Sequence, residues 1–327
     1  MIWYESYIKQ LTEVYRAASE RIAQFPSPLN EAGLQYAEKF NPIKQDNGKD
    51  YICTLLPYWL QEQAGLTNEQ CGQLSLANVY GMLYFFIQDD VMDDGPMNAS
   101  SLKQQLALGN LLYLEMFAVF RSLFPSDSPF WQHYDRYVSV WADCVVNEGD
   151  ANYFLNDPLR TAGKAGPVKI SCVAAWLLTG KPHNIAKSEQ AVDVALMTLQ
   201  MLDDWADWEV DMREGSYNGL LGMIASELAL QADAVQGHRA EACTITRLTK
   251  EQVDAAIYVH CCMNRYAAIA KSNHKQLLLL DGVPSPLIDF HTYMAECLTE
   301  IAEHISQKKQ KLLKGGFNYR FNQSLIE

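Results

Sequence analysis

Two short stretches of this sequence concentrate carboxylates at helical spacing. The first is FFIQDDVMDDG at residues 85–95, and the second is LQMLDDWADWEVDMREGSYN at residues 199–218. Their aspartates are Asp89, Asp90, Asp93 and Asp94 in the first stretch, and Asp203, Asp204, Asp207 and Asp211 in the second. Because positions four apart share a helix face, these like charges repel one another unless cations neutralise them. Carboxylate oxygens are ligands that Mg²⁺ prefers, so the pattern indicates a divalent-metal site.

An acidic run at a helix end is most often a solvated face, and one such run indicates little. Here two runs follow apolar segments, and each contains D-D-x-x-D. The sequence has no H-E-x-x-H pair, no cysteine–histidine zinc spacing and no Walker-type glycine loop. The two runs together therefore predict a site for several Mg²⁺ ions and a bound polyanion such as diphosphate.

The composition excludes some other classes of protein. The chain has 327 residues, 39 acidic against 26 basic side chains and a net charge of −13, which argues against binding to nucleic acid or to an anionic membrane surface. Eight cysteines occur without a C-x-x-C pair, so a reduced compartment is expected. No apolar run approaches the roughly 18–20 residues of a membrane span. We expect a soluble, cytoplasmic protein without a transmembrane segment.

The elements that position the aspartates are expected to be helices. Apolar residues recur at three- and four-residue spacing, and short alternating strands with hairpin turns are missing. The predicted helices cover residues 6–25, 51–64, 68–94, 101–124, 129–150, 167–180, 185–212, 217–235, 249–278 and 287–314. No break is long enough for a domain linker. We predict one all-α domain over residues 1–327, of about ten helices, with loose termini at 1–5 and 315–327.

The two motifs resemble a known family. QDDVMDD and LQMLDDWAD, 114 residues apart from Asp89 to Asp203, are similar to the aspartate-rich motifs of class I isoprenoid enzymes, the trans-prenyl diphosphate synthases and the related terpene synthases. Lys169 in GPVKIS matches their diphosphate-binding lysine, and Gln200 matches the glutamine before their second motif. DMREGSYNGLL resembles the stretch that closes this motif. The resemblance spans roughly residues 45–225.

The resemblance implies a single-domain helical bundle around a deep apolar cavity, with the motifs on opposite walls. It implies Mg²⁺-dependent ionisation of an allylic prenyl diphosphate, with three ions bound alongside the substrate; a homodimer is left open. The implied metal ligands are Asp89, Asp90, Asp93, Asp203, Asp207 and Asp211, and Asp204 and Lys169 join the implied catalytic set.

Departures from the family pattern favour one branch. Chain-elongating synthases hold isopentenyl diphosphate with a G-K-R-x-R-P stretch and an arginine pair after the first motif. This sequence has Lys49 followed by Asp50, and GPMNASSLK after the first motif contains no arginine. Because a second diphosphate needs cations, we interpret the chain as a terpene synthase, a carbon–oxygen lyase that converts one linear prenyl diphosphate, C15 or C20, to a hydrocarbon or alcohol. The alternatives are a prenyltransferase, chain-elongating or with an unusual acceptor, and a silent partner subunit of a prenyl synthase.

Further residues are expected to contact the substrate. Tyr84 and Phe85 lie about one turn before Asp89, where the family limits the prenyl chain length with bulky side chains. The implied substrate-binding set is Tyr84, Phe85, Lys169, Gln200, Arg213 and Arg160. Arg160 is equally interpretable as a surface arginine, and Arg213 as the partner of a neighbouring acid. Tyr319 and Arg320 reverse the order of a cyclase arginine–tyrosine pair, and their role is left open.

Overall fold

The structure is a computed structural model that describes residues 2–43, 51–93, 98–148, 152–236 and 248–314. Within these ranges the chain forms α-helices with short 3₁₀ and π-helical turns, and no residue of these ranges lies in a β-strand. The helices are α1 (Ile2–Glu5), α2 (Ile8–Ile22), α3 (Leu29–Lys39), α4 (Tyr51–Trp59), α5 (Gln61–Ala64), α6 (Asn68–Asp93), α7 (Ala99–Leu123), α8 (Phe130–Val146), α9 (Tyr153–Asn156), α10 (Pro158–Gly163), α11 (Ile170–Leu178), α12 (Ile185–Glu214), α13 (Gly219–Gln236), α14 (Lys250–Asp254), α15 (Cys262–Leu279) and α16 (Ser285–Lys314). The all-α class is confirmed.

Some predicted helix bounds were wrong. Helix α3 begins within the stretch FPSPLN at residues 25–30 and was not predicted, because it buries only Gly33 and Ala37 and so has almost no apolar stripe. The predicted helix over 249–278 is interrupted by a π-helical turn at Ala255–Val259, after which Cys261 has a φ of 55°. A left-handed residue cannot continue an α-helix, and a second helix therefore starts after it.

The chain divides into two compact units. The first comprises Met1–Val145, Gly163–Asp193 and Leu280–Asp289. Its central element is α6, which packs against α2, α4 and α7. Polar side chains join α6 to α4 and to α11: Ser75 Oγ donates to the Thr54 carbonyl oxygen at 2.7 Å, and Asn78 Nδ2 donates to Ser171 Oγ at 2.6 Å. The C-terminal end of α6, which carries the first aspartate motif, is thus anchored by a buried helix body.

The second unit comprises Val146–Ala162, Val194–Leu279 and Phe290–Glu327. Its core gathers side chains from α12, α13, α15 and α16, among them Met201, Leu221, Tyr266 and Leu298. This core supports the C-terminal half of α12, which carries the second aspartate motif. The assignment of one domain to residues 1–327 stays a prediction.

Helix α7 is long and apolar. Asn98 caps the N-terminus of α7, since the Asn98 side-chain oxygen accepts a hydrogen bond from the Ser101 N–H at 2.8 Å. By length and composition it is the one helix in the described part of the chain that could cross a membrane, with a mean hydropathy of 1.3 over its most apolar window, of which 28% is buried. Core helices of globular proteins also reach this hydropathy. The expected absence of a membrane span stays a prediction.

Candidate functional site

The first motif lies in the last turn of α6. Asp89 and Asp90 are half-buried, and the Tyr36 hydroxyl donates a hydrogen bond to Asp90 Oδ2 at 2.7 Å. Asp93 ends the helix; its side chain and Asp94 lie outside the described part. The C-terminus of a helix carries partial negative charge, so carboxylates there are unfavourable without a compensating cation. The position of the motif therefore fits cation binding better than structural support.

Tyr84 and Phe85 belong to a layer of aromatic rings in the first unit. The two rings are 5.0 Å apart, Tyr84 lies 5.1 Å from the ring of Tyr113 on α7, and Phe85 lies 4.9 Å from the ring of Trp141 on α8. All four side chains are half-buried and do not form part of the closed core. Their partly open faces would suit the lining of an apolar cavity.

Lys169 is already paired in the first unit. Its ammonium lies 2.7 Å from Asp193 Oδ1, with the side chains 13% and 19% exposed, and 5.5 Å from the ring centre of Tyr137. Burial raises the pKa of Asp193, and Lys169 opposes this rise. Sequence reasoning missed Asp193, which lies 24 residues further along the chain (193 − 169). A phosphate that binds Lys169 would have to share this cation with Asp193.

The second motif presents two kinds of aspartate. Asp203 and Asp211 are half-buried and Asp207 is exposed, and their four-residue spacing places them along one face of α12. Asp204 is only 3% exposed. Successive residues are turned by about 100° around a helix, so Asp204 points into the core of the second unit while its neighbours line the accessible face.

The carboxyl group of Asp204 accepts hydrogen bonds from three donors. Gln200 Nε2 donates to its Oδ1 at 3.1 Å, while the Gly219 N–H and the Tyr266 hydroxyl donate to Oδ2 at 3.0 and 3.3 Å. Burial raises the pKa of this carboxyl to about 7, against the lowering effect of Gln200 and Gly219. The structure therefore places Gln200 and Asp204, which were expected to act on the substrate, in contact with each other at the edge of the core. This placement fits a structural role for both.

Asn218 was not predicted to take part in the site. It immediately precedes α13, is fully buried, and its Nδ2 donates to Asp211 Oδ2 at 2.7 Å and to the Asp204 carbonyl oxygen at 2.8 Å. Its Oδ1 accepts a hydrogen bond from the Leu221 N–H at 3.1 Å. An asparagine before an apolar helix is a capping signal in a sequence, but the contact with Asp211 requires the tertiary structure.

Two predicted arginines have local partners. Arg213 is exposed and lies 3.3 Å from Glu214, which matches the alternative interpretation of a pair with a neighbouring acid. The Arg160 guanidinium lies 4.4 Å from the ring centre of Tyr153 in the second unit. Tyr319 and Arg320 lie outside the described residues.

The aspartates fit Mg²⁺ by their chemistry. Mg²⁺ is usually held by one or two carboxylates together with water and substrate phosphates, so a preformed cage is not needed. Among the described residues, no three His, Cys, Asp or Glu side chains already converge as a metal cage. The accessible face of Asp203, Asp207 and Asp211 supplies hard oxygen donors of the required kind. The expectation that the two motifs act on one diphosphate stays a prediction.

Comparison with solved structures identifies the fold. A geranylgeranyl pyrophosphate synthase from Lactobacillus brevis is 18% identical with a TM-score of 0.66, covering 91% of this chain and 98% of its own. A polyprenyl synthase from Caulobacter crescentus, complexed with calcium and isoprenyl diphosphate, is 16% identical with a TM-score of 0.64, covering 92% and 96%. A geranylgeranyl pyrophosphate synthetase from Geoglobus acetivorans is 19% identical with a TM-score of 0.51, covering 90% and 99%.

The chain therefore has the fold of these prenyl synthases. The expected helical-bundle fold is confirmed. No protein-family model and no curated protein matches the sequence.

Proposed function

We propose that this chain is a divalent-metal-dependent enzyme that ionises an allylic prenyl diphosphate. The observation that carries the proposal is the accessible row of Asp203, Asp207 and Asp211 on α12, in a chain with the prenyl synthase fold. The neighbour named with calcium and isoprenyl diphosphate supports a divalent cation as the partner of these carboxylates. Mg²⁺, when bound, would supply Lewis-acid neutralisation of the departing diphosphate.

The residues of this chain have distinct roles in the proposal. Asp203, Asp207 and Asp211 on α12 bind divalent metal, as do Asp89 and Asp90 of the first motif, and Lys169 adds a cation for a phosphate once it turns from Asp193. Tyr84 and Phe85 line the hydrocarbon side, where apolar rings exclude water and stabilise positive charge on the prenyl group. A dry site of this kind favours transfer of the prenyl group over hydrolysis.

We further propose that the enzyme is a prenyltransferase with an acceptor that carries no diphosphate. The solved neighbours are named as prenyl synthases, which are transferases, so a transferase is better supported than the lyase interpretation. The arginines that would hold a second diphosphate are missing from the sequence on both sides of α6. A terpene synthase is the second candidate, favoured by the D-x-x-x-D-x-x-x-D spacing of Asp203, Asp207 and Asp211.

The first experiment tests the substrate and its fate. Purified protein with Mg²⁺ and geranyl, farnesyl or geranylgeranyl diphosphate should release diphosphate slowly while water is the only acceptor present, and a chelator should abolish the release. Isopentenyl diphosphate should neither accelerate consumption nor enter a longer product, as read by liquid chromatography and mass spectrometry. A longer prenyl diphosphate would show a chain-elongating enzyme, and a hydrocarbon as main product would show a terpene synthase. No release from any of the three substrates would contradict the proposal and favour a silent subunit.

Phe85 is expected to limit the length of the prenyl chain. An aromatic ring fills space that an isoprene unit of similar size would otherwise occupy. We therefore expect the parent to prefer a C15 over a C25 diphosphate, and Phe85→Ala to raise turnover of the longer substrate relative to the shorter one. Since the ring is half-buried, we expect a stability cost of about 3 kcal/mol or less.

The matched control for this change is Phe86→Ala. Phe86 is the next residue of α6, is also half-buried, and contacts the ring of Phe40 at 4.8 Å. It should lose similar packing without a change in chain-length preference. If both variants keep the preference of the parent, or if the parent already prefers C25, the aromatic layer does not limit the substrate.

A further inference from the structure

Every hydrogen-bonding group of the Asn218 side chain has a partner, and these bonds fix the orientation of its amide. Its side-chain oxygen accepts from the Leu221 N–H, and its NH₂ group faces two oxygens, the Asp204 carbonyl and Asp211 Oδ2. A flipped amide would place its oxygen against these two acceptors and its NH₂ group against a donor. The side chain is fully buried, and such mismatches are costly away from water. The amide is therefore a fixed donor directed at Asp211.

The start of α13, which follows Asn218 in the chain, is also held in place. The following Gly219 donates its N–H to the buried Asp204 carboxylate, and a Cβ atom at this glycine would lie 2.6 Å from Asp204 Oδ2 and 2.9 Å from the ring of Phe154. Only glycine lets the two chain segments approach so closely. The start of α13 is thereby attached to α12 through Asp204, and Asn218 extends this attachment to Asp211.

Asp211 needs such support because of its place in the helix. It lies in the last turn of α12, which is followed by Gly215 at a φ of 79°. The Gly215 N–H donates to the Asp211 carbonyl oxygen at 2.8 Å. Terminal turns fray, and a carboxylate at a helix C-terminus is disfavoured by the helix dipole. A neutral amide donor offsets part of this cost and restricts the rotation of the side chain.

We propose that Asn218 is the positioning residue of the second aspartate motif, which holds the Asp211 carboxylate in the orientation that binds the metal–diphosphate. This inference rests on the proposed function. Outer hydrogen-bond partners of metal ligands typically change metal affinity by about 10- to 100-fold when they are removed. Asn218 thus sets the Mg²⁺ concentration that the enzyme requires, although it contacts neither metal nor substrate.

The test is Asn218→Asp, which keeps the shape of the side chain but replaces the donor by an acceptor. Thermal unfolding is followed while Mg²⁺ is titrated at a fixed concentration of inorganic diphosphate. The Mg²⁺ concentration for half-maximal stabilisation should rise by about tenfold or more. The Mg²⁺ midpoint of turnover should rise in parallel, with most of the activity recovered at saturating Mg²⁺.

Asn152→Asp is the matched control. Asn152 Nδ2 also donates two hydrogen bonds to α13, to the Gly222 carbonyl oxygen at 2.7 Å and to Ser226 Oγ at 3.0 Å. Its side-chain bonds go to α13 and Tyr217, and none goes to an aspartate of the motif. This variant should lose stability while the Mg²⁺ midpoint stays at the parent value.

Asn218→Ser is the second variant. The short serine hydroxyl can still accept a hydrogen bond from an N–H group in the first turn of α13, but it cannot reach Asp211. The same rise of the Mg²⁺ midpoint is expected in it, even if Asn218→Asp fails to fold. An unchanged midpoint in a folded Asn218 variant, or an equal rise in Asn152→Asp, would overturn the positioning role alone. If Mg²⁺ and diphosphate do not stabilise the parent at all, the proposed function and this inference both fail.

Discussion

Replacing Asp203 by asparagine is expected to lower the turnover of an allylic prenyl diphosphate by about 100-fold or more, because a metal-held leaving group contributes several kcal/mol to the transition state. Asp203 is half-buried on the accessible face of α12. An amide keeps its shape but lacks the charge that attracts Mg²⁺. Asp89→Asn in the first motif should show a loss of similar size. Diphosphate release at saturating Mg²⁺ measures the effect.

The fold should survive the Asp203 substitution. Like charges four residues apart destabilise a helix by about 0.2–0.5 kcal/mol, so the metal-free variant should unfold at the same temperature as the parent or slightly above it. Glu209→Gln is the control, since Glu209 is an exposed acid of the same helix that pairs with Lys250. It should retain parental turnover. Unchanged turnover in both Asp203→Asn and Asp89→Asn would show that the motifs are not the metal site.

Replacing the neighbouring Asp204 by alanine should instead destabilise the protein, by about 3 kcal/mol or more. The change leaves the buried Gly219 N–H and the buried Tyr266 hydroxyl without their acceptor, and the half-buried Gln200 amide also loses its partner. Each buried unsatisfied donor costs about 1–3 kcal/mol. Urea unfolding in the presence of a chelator measures this loss. If Asp204→Ala is as stable as the parent but inactive, Asp204 acts in the reaction and not in the fold.

Asp204→Asn separates the shape of this side chain from its charge. The oxygen of the new asparagine side chain can accept hydrogen bonds from Gly219 and Tyr266, and the amide of Gln200 can rotate to accept one from the new NH₂ group.

Because burial raises the pKa of Asp204 from 3.8 to about 7, the folded parent binds a proton between these pH values that the unfolded chain has lost. The unfolding free energy of the parent therefore decreases as the pH rises through this window. Relative to the parent, Asp204→Asn should become more stable from pH 4 to pH 7.

The sequence by itself was sufficient for the fold class and for the candidate chemistry. Apolar spacing depends on neighbours along one helix, so α6, α7 and α12 were predicted close to their observed bounds. Apolar spacing did not reveal α3, because this helix buries a glycine and an alanine in place of an apolar stripe. The paired D-D-x-x-D motifs indicated metal and diphosphate because the identity and spacing of ligands are local properties of the chain.

Only the tertiary structure decided which carboxylates are accessible. Asp203 and Asp204 are adjacent and chemically identical, yet the packing of α12 against α13 and α15 buries only Asp204. Asp193 beside Lys169 and Asn218 beside Asp211 are likewise partners brought together by the fold. The energy of such contacts depends on burial and on the direction of donors and acceptors. Neither quantity is set by the spacing of residues along one helix, so the packing of the helices determines which acids support the fold and which face outwards.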